Sequence, residues 1–222
     1  MYSIILRSIQ SANMSEVSSI KTSILVTNAI MTFMWIRVLR TLFEMATREN
    51  NAEFCETNLK PALVNAIVTS FLEGVNAVMG VTKSNPANVI MFVVVRAGVE
   101  FLAAPALPCD CMQHLFTAAC WGFGEMCRFG CFTVDGIMGG SDTAKSIRYT
   151  VGPVAFFFGA FGEWLMVIQV LRTGNPDRSA LVTAFIVFCV MAWPIGFVSL
   201  FKQLLKQRKK HFKAQANKRK NK

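Results

Sequence analysis

The amino-acid sequence predicts an all-α integral membrane protein, a six-transmembrane-helix bundle with a polar interior. Apolar residues make up 53% of the 222-residue chain, and its mean hydropathy is +0.43. Soluble globular domains contain only ~45–50% apolar residues. The apolar residues are also concentrated in long runs, and a helix needs about 20 of them to cross a bilayer. Composition and pattern together therefore exclude a soluble domain.

Six apolar runs are long enough to be spans. The first is the weakest, because Arg37 and Arg40 interrupt it. The separating segments have the composition of turns, such as SNPAN before the third run and DGIMGGSDTAKS before the fifth. The predicted spans are 24–43, 62–82, 88–107, 113–133, 149–171 and 180–201. They form one membrane domain, 1–201, which a basic tail follows at 202–222.

The net charge of +10 is concentrated in the tail, where ten of the 21 residues are Lys or Arg and none is acidic. No aromatic-interleaved motif of a nucleic-acid-binding protein accompanies these charges, so we expect no nucleic-acid partner. The positive-inside rule places the tail in the cytosol, against anionic membrane lipid. Six spans then place both termini in the cytosol. The ending KRKNK resembles a dibasic retrieval signal, which predicts a multi-pass protein of the endoplasmic reticulum membrane.

The seven Cys residues predict neither a disulfide framework nor a metal centre. Four of them lie in apolar runs, where Cys behaves as a small hydrophobe: Cys120, Cys127, Cys131 and Cys189. Cys109, Cys111 and His114 form a short cluster, but a zinc site there would need a fourth ligand. We therefore expect no metal and no cofactor.

Glu163 is the most informative single residue, because it lies alone in the fifth apolar run, YTVGPVAFFFGAFGEWLMVIQVL. Its helical neighbours three and four residues away are all uncharged: Gly159, Ala160, Met166 and Val167. A carboxylate inside a membrane costs at least ~2.5 kcal/mol and marks a candidate functional site. The alternative is a structural Glu that pairs with an Arg from another helix.

Other charged residues interrupt the third and fourth runs. Arg96 and Glu100 are spaced i,i+4, and Glu125 and Arg128 are spaced i,i+3, so each pair can be neutralised within one helix. Because lipid cannot solvate charges, these side chains are expected to face the interior of the bundle. That interior could be a transport path, a catalytic chamber or a set of structural pairs. Whether Glu163 faces Arg96, Arg128 or a ligand stays open.

Several motifs occur in an order that one family shares. Segment 73–84, EGVNAVMGVTKS, resembles E-x-x-N/H-x-x-x-G-x-x-R/K-S, and segment 121–129, WGFGEMCRF, resembles W-S-x-T-E-x-x-R-Y. The remaining matches are Asn28, Trp35, Arg96, the pair Arg148-Tyr149, and Gly159 with Glu163 at the end of L-Y-P-x-G-x-x-x-E. With these motifs the chain resembles the very-long-chain (3R)-3-hydroxyacyl-CoA dehydratases of fatty-acid elongation, also called protein tyrosine phosphatase-like A proteins.

The resemblance implies a lyase that binds an acyl-CoA and works with other elongation enzymes. It would convert a long-chain (3R)-3-hydroxyacyl-CoA to the trans-2-enoyl-CoA and water. The family uses a catalytic Tyr and a catalytic Glu seven residues apart. Here the Glu is Glu163, but the Tyr position holds Phe156. The supporting residues implied by the resemblance are Arg96, Glu125, Arg128, Arg148, Tyr149 and Gly159.

The missing phenol bears on the mechanism. Dehydration requires a base to remove the α proton and an acid to protonate the departing hydroxyl. Phe156 has no proton to donate, and Tyr149 lies ~21 Å from Glu163 along a helix. At a span boundary, Arg148 and Tyr149 also suit an interfacial anchor.

Three functions remain open at this point. The first is an active dehydratase in which Glu163 serves as base and then as acid. The second is a catalytically silent relative that acts as a membrane scaffold or elongase-complex subunit. A small transporter is the third, and the absence of repeated halves disfavours it.

Overall fold

The computed structural model describes residues 2–48, 50–82, 85–173 and 179–220, and these residues form helices without any β-strand. The helices are α1 (Tyr2–Met45), α2 (Asn51–Phe54), α3 (Lys60–Val78), α4 (Pro86–Gly98), α5 (Met112–Ile137), α6 (Asp142–Arg172) and α7 (Ala180–Lys220). A π-helical turn, Cys55–Leu59, joins α2 to α3. A second one, Val99–Ala103, extends α4. The all-α class is confirmed, and each predicted span overlaps a helix.

The number of spans that the described helices support is four or five. Four segments are long and apolar enough to cross a membrane: Ile20–Met45, Asn51–Val78, Pro86–Ala106 and Asp142–Arg172. In α7 the parts Ala180–Met191 and Trp193–Asn217 meet at 48° and make a fifth if they form one span. The bend lies beside Pro194, which cannot continue the backbone hydrogen-bond ladder. Helix α5 is not among them, because polar and charged residues lower its hydropathy.

A tight turn joins α5 to α6 and places them side by side. Gly139 and Gly140 adopt positive φ angles of 65° and 118°, which glycine tolerates without strain. Ser141 then caps α6, since its Oγ accepts a hydrogen bond from the Ala144 amide at 3.2 Å. The Asp135 carboxylate accepts from the Ser141 amide at 2.6 Å and lies 3.3 Å from Lys145 Nζ. The turn therefore fixes how the faces of α5 and α6 meet.

Glycines allow α5 to pack very closely against α1 and α6. A Cβ atom on Gly122 would lie 2.8 Å from Leu39 Cδ2 of α1, and one on Gly124 would lie 2.9 Å from the Ala155 Cβ of α6. Both distances are shorter than van der Waals contact. The two positions where the family motif carries Ser and Thr are thus sites of helix contact in this chain. Small residues are the usual means of close packing between membrane helices.

The outer surface of the bundle is apolar. Large hydrophobic side chains are exposed on several helices, among them Phe33, Phe43, Val78, Phe161 and Ile195. A surface of this kind suits contact with lipid rather than with water.

A disulfide bond joins Cys55, in the first π-helical turn, to Cys109, between α4 and α5. The expectation that the cysteines form no disulfide framework is therefore wrong. Each of these cysteines lies in a polar separator, and the two separators lie at the same end of the predicted bundle. That shared location was a signal for pairing.

Two sequence features fall outside the described residues. Lys83 and Ser84 end the first motif, and Lys222 ends the chain.

Candidate functional site

Glu163 lies in the second half of α6 and is 5% exposed. Its Oε1 accepts a hydrogen bond from the indole Nε1 of Trp121 on α5, at 2.8 Å. Its Oε2 is buried and has no hydrogen-bond partner among the described residues. One oxygen of this carboxylate is therefore held in place by the protein, and the other is available to a ligand.

Gly159 makes the contact between Trp121 and Glu163 possible. It lies one helical turn before Glu163, and a Cβ atom there would be 3.3 Å from Trp121 Cδ1. Such a contact is tight, and the indole ring would have to shift by a few tenths of an ångström. The absence of a side chain at Gly159 lets the ring cross the surface of α6 and reach the carboxylate. This gives a physical reason for a glycine four residues before the glutamate.

Arg96, in the last turn of α4, lies beside Trp121, the residue that donates to Glu163. Its Nη1 pairs with Glu125 Oε1 at 2.8 Å, and its guanidinium lies 5.9 Å and 5.8 Å from the ring centroids of Trp35 and Trp121. Its Nε is buried without a hydrogen-bond partner in the described part of the chain. A free donor and a free acceptor, Arg96 Nε and Glu163 Oε2, thus occur in the same buried region.

A chain of ion pairs supports Arg96. Arg128 donates to both oxygens of Glu73, at 2.6 and 2.7 Å, and its Nε donates to Glu125 at 2.9 Å. Glu125 in turn holds Arg96. Two carboxylates and two guanidiniums therefore balance each other across α3, α4 and α5. The predicted pair of Glu125 and Arg128 is confirmed, and its contacts suit an orienting role.

The predicted pair of Arg96 and Glu100 is wrong. Glu100 lies in the π-helical turn that follows α4, where the wider turn changes the i,i+4 register. Its Oε2 instead lies 3.1 Å from His114 Nε2, and the Nδ1 of this histidine contacts the carbonyl of Cys109 at 2.7 Å. A carbonyl oxygen can only accept, so Nδ1 carries a proton and His114 is fixed beside the disulfide bond.

The cluster of Cys55, Cys109 and His114 is the one group among the described residues whose ligand atoms lie within 4.8 Å of one another. The two sulfur atoms are bonded to each other, so neither offers a thiolate to a metal ion. Cys111, the other member of the predicted loop cluster, is a free thiol. This arrangement suits a structural bond better than a metal centre.

Phe156 lies two helical turns before Glu163, among aromatic rings from two other helices. Its centroid is 5.4 Å from that of Phe92 on α4, and 5.3 Å and 6.4 Å from those of Phe197 and Phe201 on α7. Phe197 and Phe201 also stack on each other at 5.6 Å. The position that carries a phenol in the family is therefore part of an apolar aromatic cluster.

Arg148 and Tyr149 lie near the start of α6, away from Glu163. The Arg148 Nη2 donates to the Tyr149 hydroxyl at 3.0 Å, and the Tyr149 ring lies 4.7 Å from the His211 ring of α7. The separation of 15 residues from Glu163 is ~22 Å in an α-helix. The structure therefore brings together Glu163, Arg96, Glu125, Arg128 and Gly159, and it places Arg148 and Tyr149 in a second cluster.

Trp121 is the residue that sequence reasoning missed. It was part of a recognised motif, yet nothing in the sequence assigned it a role. One signal was its position four residues before Glu125 on the same predicted helix. The other was the presence of Gly159 and the lone acid Glu163 on the next predicted helix. Buried tryptophans usually place their indole N–H against an acceptor, so an unpaired carboxylate was the partner to look for.

The protein is all-helical in its described residues, and several of its helices are apolar. These features are compatible with a multi-pass membrane protein that has a buried carboxylate. A family model described as "Protein tyrosine phosphatase-like protein, PTPLA" matches residues 67–214. The chain therefore belongs to this family, which is the very-long-chain 3-hydroxyacyl-CoA dehydratase family. Comparison with curated proteins and with solved structures gives no significant match.

Proposed function

We propose that this chain is a dehydratase that converts long-chain (3R)-3-hydroxyacyl-CoA to trans-2-enoyl-CoA and water in fatty-acid elongation. The observation that carries the proposal is the arrangement of Glu163, with Oε1 held by Trp121 and Oε2 buried without a partner in the described residues. A buried polar atom without a partner is unfavourable and calls for an explanation. A reacting substrate at Oε2 supplies one, and the family of the chain supports the same class of reaction.

In the proposed mechanism, Glu163 removes the proton from C2 of the substrate. The C2–C3 double bond forms as the C3–O bond breaks, and the proton on Glu163 passes to the departing oxygen. Water leaves, and the carboxylate is regenerated. One carboxylate can do both steps if the C2 proton and the 3-hydroxyl lie on the same face of the substrate. We assign to Arg96 the stabilisation of the negative charge that develops on the thioester oxygen.

Phe156 makes a single acid–base group necessary in this mechanism. The ring carries no proton donor, and its neighbours Phe92, Phe197 and Phe201 carry none either. The aromatic cluster instead offers an apolar wall beside a substrate whose reacting carbons lie at Glu163.

The same cluster favours a second candidate, a catalytically silent relative. A site that has replaced its phenol by packed aromatic rings could keep the fold for binding or for scaffolding. This candidate predicts no turnover at any chain length and co-purification with other elongation enzymes.

We further propose that α5 is the sixth span and that it contributes to a polar interior. It is ~39 Å long, and it packs between α1 and α6. The charges of Glu125 and Arg128 are paired, so neither has to face lipid. With six spans and both termini in the cytosol, the disulfide between Cys55 and Cys109 faces the lumen of the endoplasmic reticulum. That oxidising compartment is where disulfide bonds persist.

The test is conversion of a long-chain 3-hydroxyacyl-CoA by the purified full chain in detergent or nanodiscs. We expect turnover by the wild type and its loss in Glu163→Gln, while the exposed Glu56→Gln serves as the matched control. Turnover that survives in Glu163→Gln would contradict the assignment. An inactive wild type, together with activity gained in Phe156→Tyr, would instead support the silent relative.

A further inference from the structure

The start of α6 and the C-terminal part of α7 form a cluster of polar and aromatic side chains, which we call the Arg148 platform: Ser146, Arg148, Tyr149, His211 and Gln215. Ser146 Oγ accepts from Gln215 Nε2 at 2.9 Å and contacts His211 Nε2 at 3.3 Å. The Ser146 hydroxyl donates its own proton to the Asp142 carbonyl at 2.8 Å. The basic tail is thus a continuation of α7 that packs on α6.

Arg148 is held in the platform by two aromatic rings and a tyrosine hydroxyl. Its guanidinium lies 4.5 Å from the ring centroid of Phe132 and 4.7 Å from that of Tyr149, and it donates to the Tyr149 hydroxyl. Among the described residues no carboxylate lies within ion-pair distance of it, in contrast to Arg96 and Arg128. The guanidinium is therefore fixed in orientation and has donors left for an anion.

The surroundings of the platform are strongly positive. The part of α7 beside it carries five exposed cations: Lys206, Arg208, Lys209, Lys210 and Lys213. On the facing end of α5 and α6 the acidic residues are Asp135 and Asp142, and Asp135 is already paired with Lys145. Planar arginines and clustered lysines bind phosphate groups well. The chemistry that fits this platform is that of a phosphorylated ligand.

We propose that the Arg148 platform binds the phosphorylated nucleotide end of a coenzyme A thioester whose acyl end reaches Glu163. This inference rests on the proposed dehydratase function. The distance supports it, since 15 residues of α6 separate Arg148 from Glu163 by ~22 Å. Fifteen bonds join the diphosphate of coenzyme A to C3 of its acyl group, which is ~18 Å at ~1.2 Å per bond in an extended chain. One polar contact at each end of the ligand accounts for the difference between these two lengths.

Anionic lipid headgroups carry the same phosphate chemistry, so the experiment separates the two sources. Binding of free coenzyme A and of adenosine 3′,5′-bisphosphate is measured with the full chain in nanodiscs made of phosphatidylcholine alone. Adsorption to vesicles that contain phosphatidylserine is measured in parallel. We expect the wild type to bind both soluble ligands in the neutral nanodiscs, where no anionic lipid is present.

Arg148→Gln should weaken the binding of both ligands about tenfold to hundredfold, the range for hydrogen bonds to a charged group. Arg172→Gln, at the opposite end of α6, is the matched control and should bind like the wild type. Tyr149→Phe keeps the ring but removes the hydroxyl that positions Arg148, and it should weaken binding by a smaller factor. If Arg148→Gln does not fold, the Tyr149→Phe variant is used to test the proposal.

Three results would overturn the proposal: a wild type that binds neither ligand in neutral nanodiscs, equal losses in Arg148→Gln and Arg172→Gln, or an Arg148→Gln defect limited to phosphatidylserine vesicles. The measurement also separates this proposal from the dehydratase reaction. Coenzyme A binding without turnover would contradict the reaction and leave the platform standing. Turnover by the wild type, together with unchanged ligand binding in Arg148→Gln, would support the reaction and contradict the role of the platform.

Discussion

The indole nitrogen of Trp121 and the carboxylate of Glu163 meet at 2.8 Å across the interface of α5 and α6, although 42 residues separate them in the chain. The hydrogen bond holds one oxygen of the carboxyl group, and the other oxygen has no partner in the part of the chain that the structure describes. Preorganisation of this kind is how a protein positions an acid–base group before the substrate arrives.

Trp121→Phe should reduce the kcat/KM of dehydration about tenfold to hundredfold. The change removes the donor to a charged acceptor, an interaction worth about 1.5–3 kcal/mol, and keeps an aromatic ring in place. The measurement is steady-state turnover of a long-chain 3-hydroxyacyl-CoA by purified protein.

Trp35→Phe is the matched control for this change. Trp35 is also buried, and its indole nitrogen has no hydrogen-bond partner among the described residues. An equal loss of turnover in both variants would mean that ring packing, and not the bond to Glu163, is what the site requires.

Gly159→Val should lower both activity and thermal stability. The new side chain would overlap the indole of Trp121, because a Cβ atom alone would already lie 3.3 Å from it. Overpacking of this kind costs about 1–3 kcal/mol. Gly152→Val is the comparison two turns earlier on the same helix, where a Cβ atom would have no neighbour within 4 Å. Equal melting temperatures and turnover for the two variants would contradict a close contact at Gly159.

Glu73→Gln should destabilise the bundle, because it removes half of the bidentate pair that holds Arg128. Breaking a buried ion pair costs about 3–5 kcal/mol, and the partial exposure of Arg128 argues for the lower end. Glu44→Gln breaks an exposed pair with Arg40 and should change stability by less than ~1 kcal/mol. Thermal unfolding in the same detergent distinguishes the two, and similar shifts would contradict a special role for the buried network.

The positions of the helices could be predicted from the sequence because apolar runs and polar separators are local signals. The importance of Glu163 could also be predicted, because a single acid in an apolar run is a local signal too. The ion-pair partners could not be predicted with the same success. Arg96 was paired with Glu100 on spacing alone, whereas the π-helical turn at Val99–Ala103 changes the register and Glu125 approaches from another helix.

Two kinds of contact between helices had no local signal. Gly122 and Gly124 stand where the family motif carries Ser and Thr, and they are contact points for Leu39 and Ala155. The pairing of Cys55 with Cys109 joins the first π-helical turn to the segment between α4 and α5, and its signal, two separators at one end of the bundle, lies in the topology and in neither segment alone. Such features follow from the way helices pack, which spacing along one helix does not contain.

Cys55→Ser should abolish the disulfide bond and lower thermal stability. The bond closes a loop with a sequence separation of 54, for which the loss of stability is about 2–4 kcal/mol. The measurement is the melting temperature with and without dithiothreitol. The reductant should lower it in the wild type and in Cys111→Ser, which changes a free thiol two residues after Cys109. It should have no effect in Cys55→Ser. A wild type that is insensitive to the reductant, with both thiols open to alkylation, would show that the bond does not form in the protein.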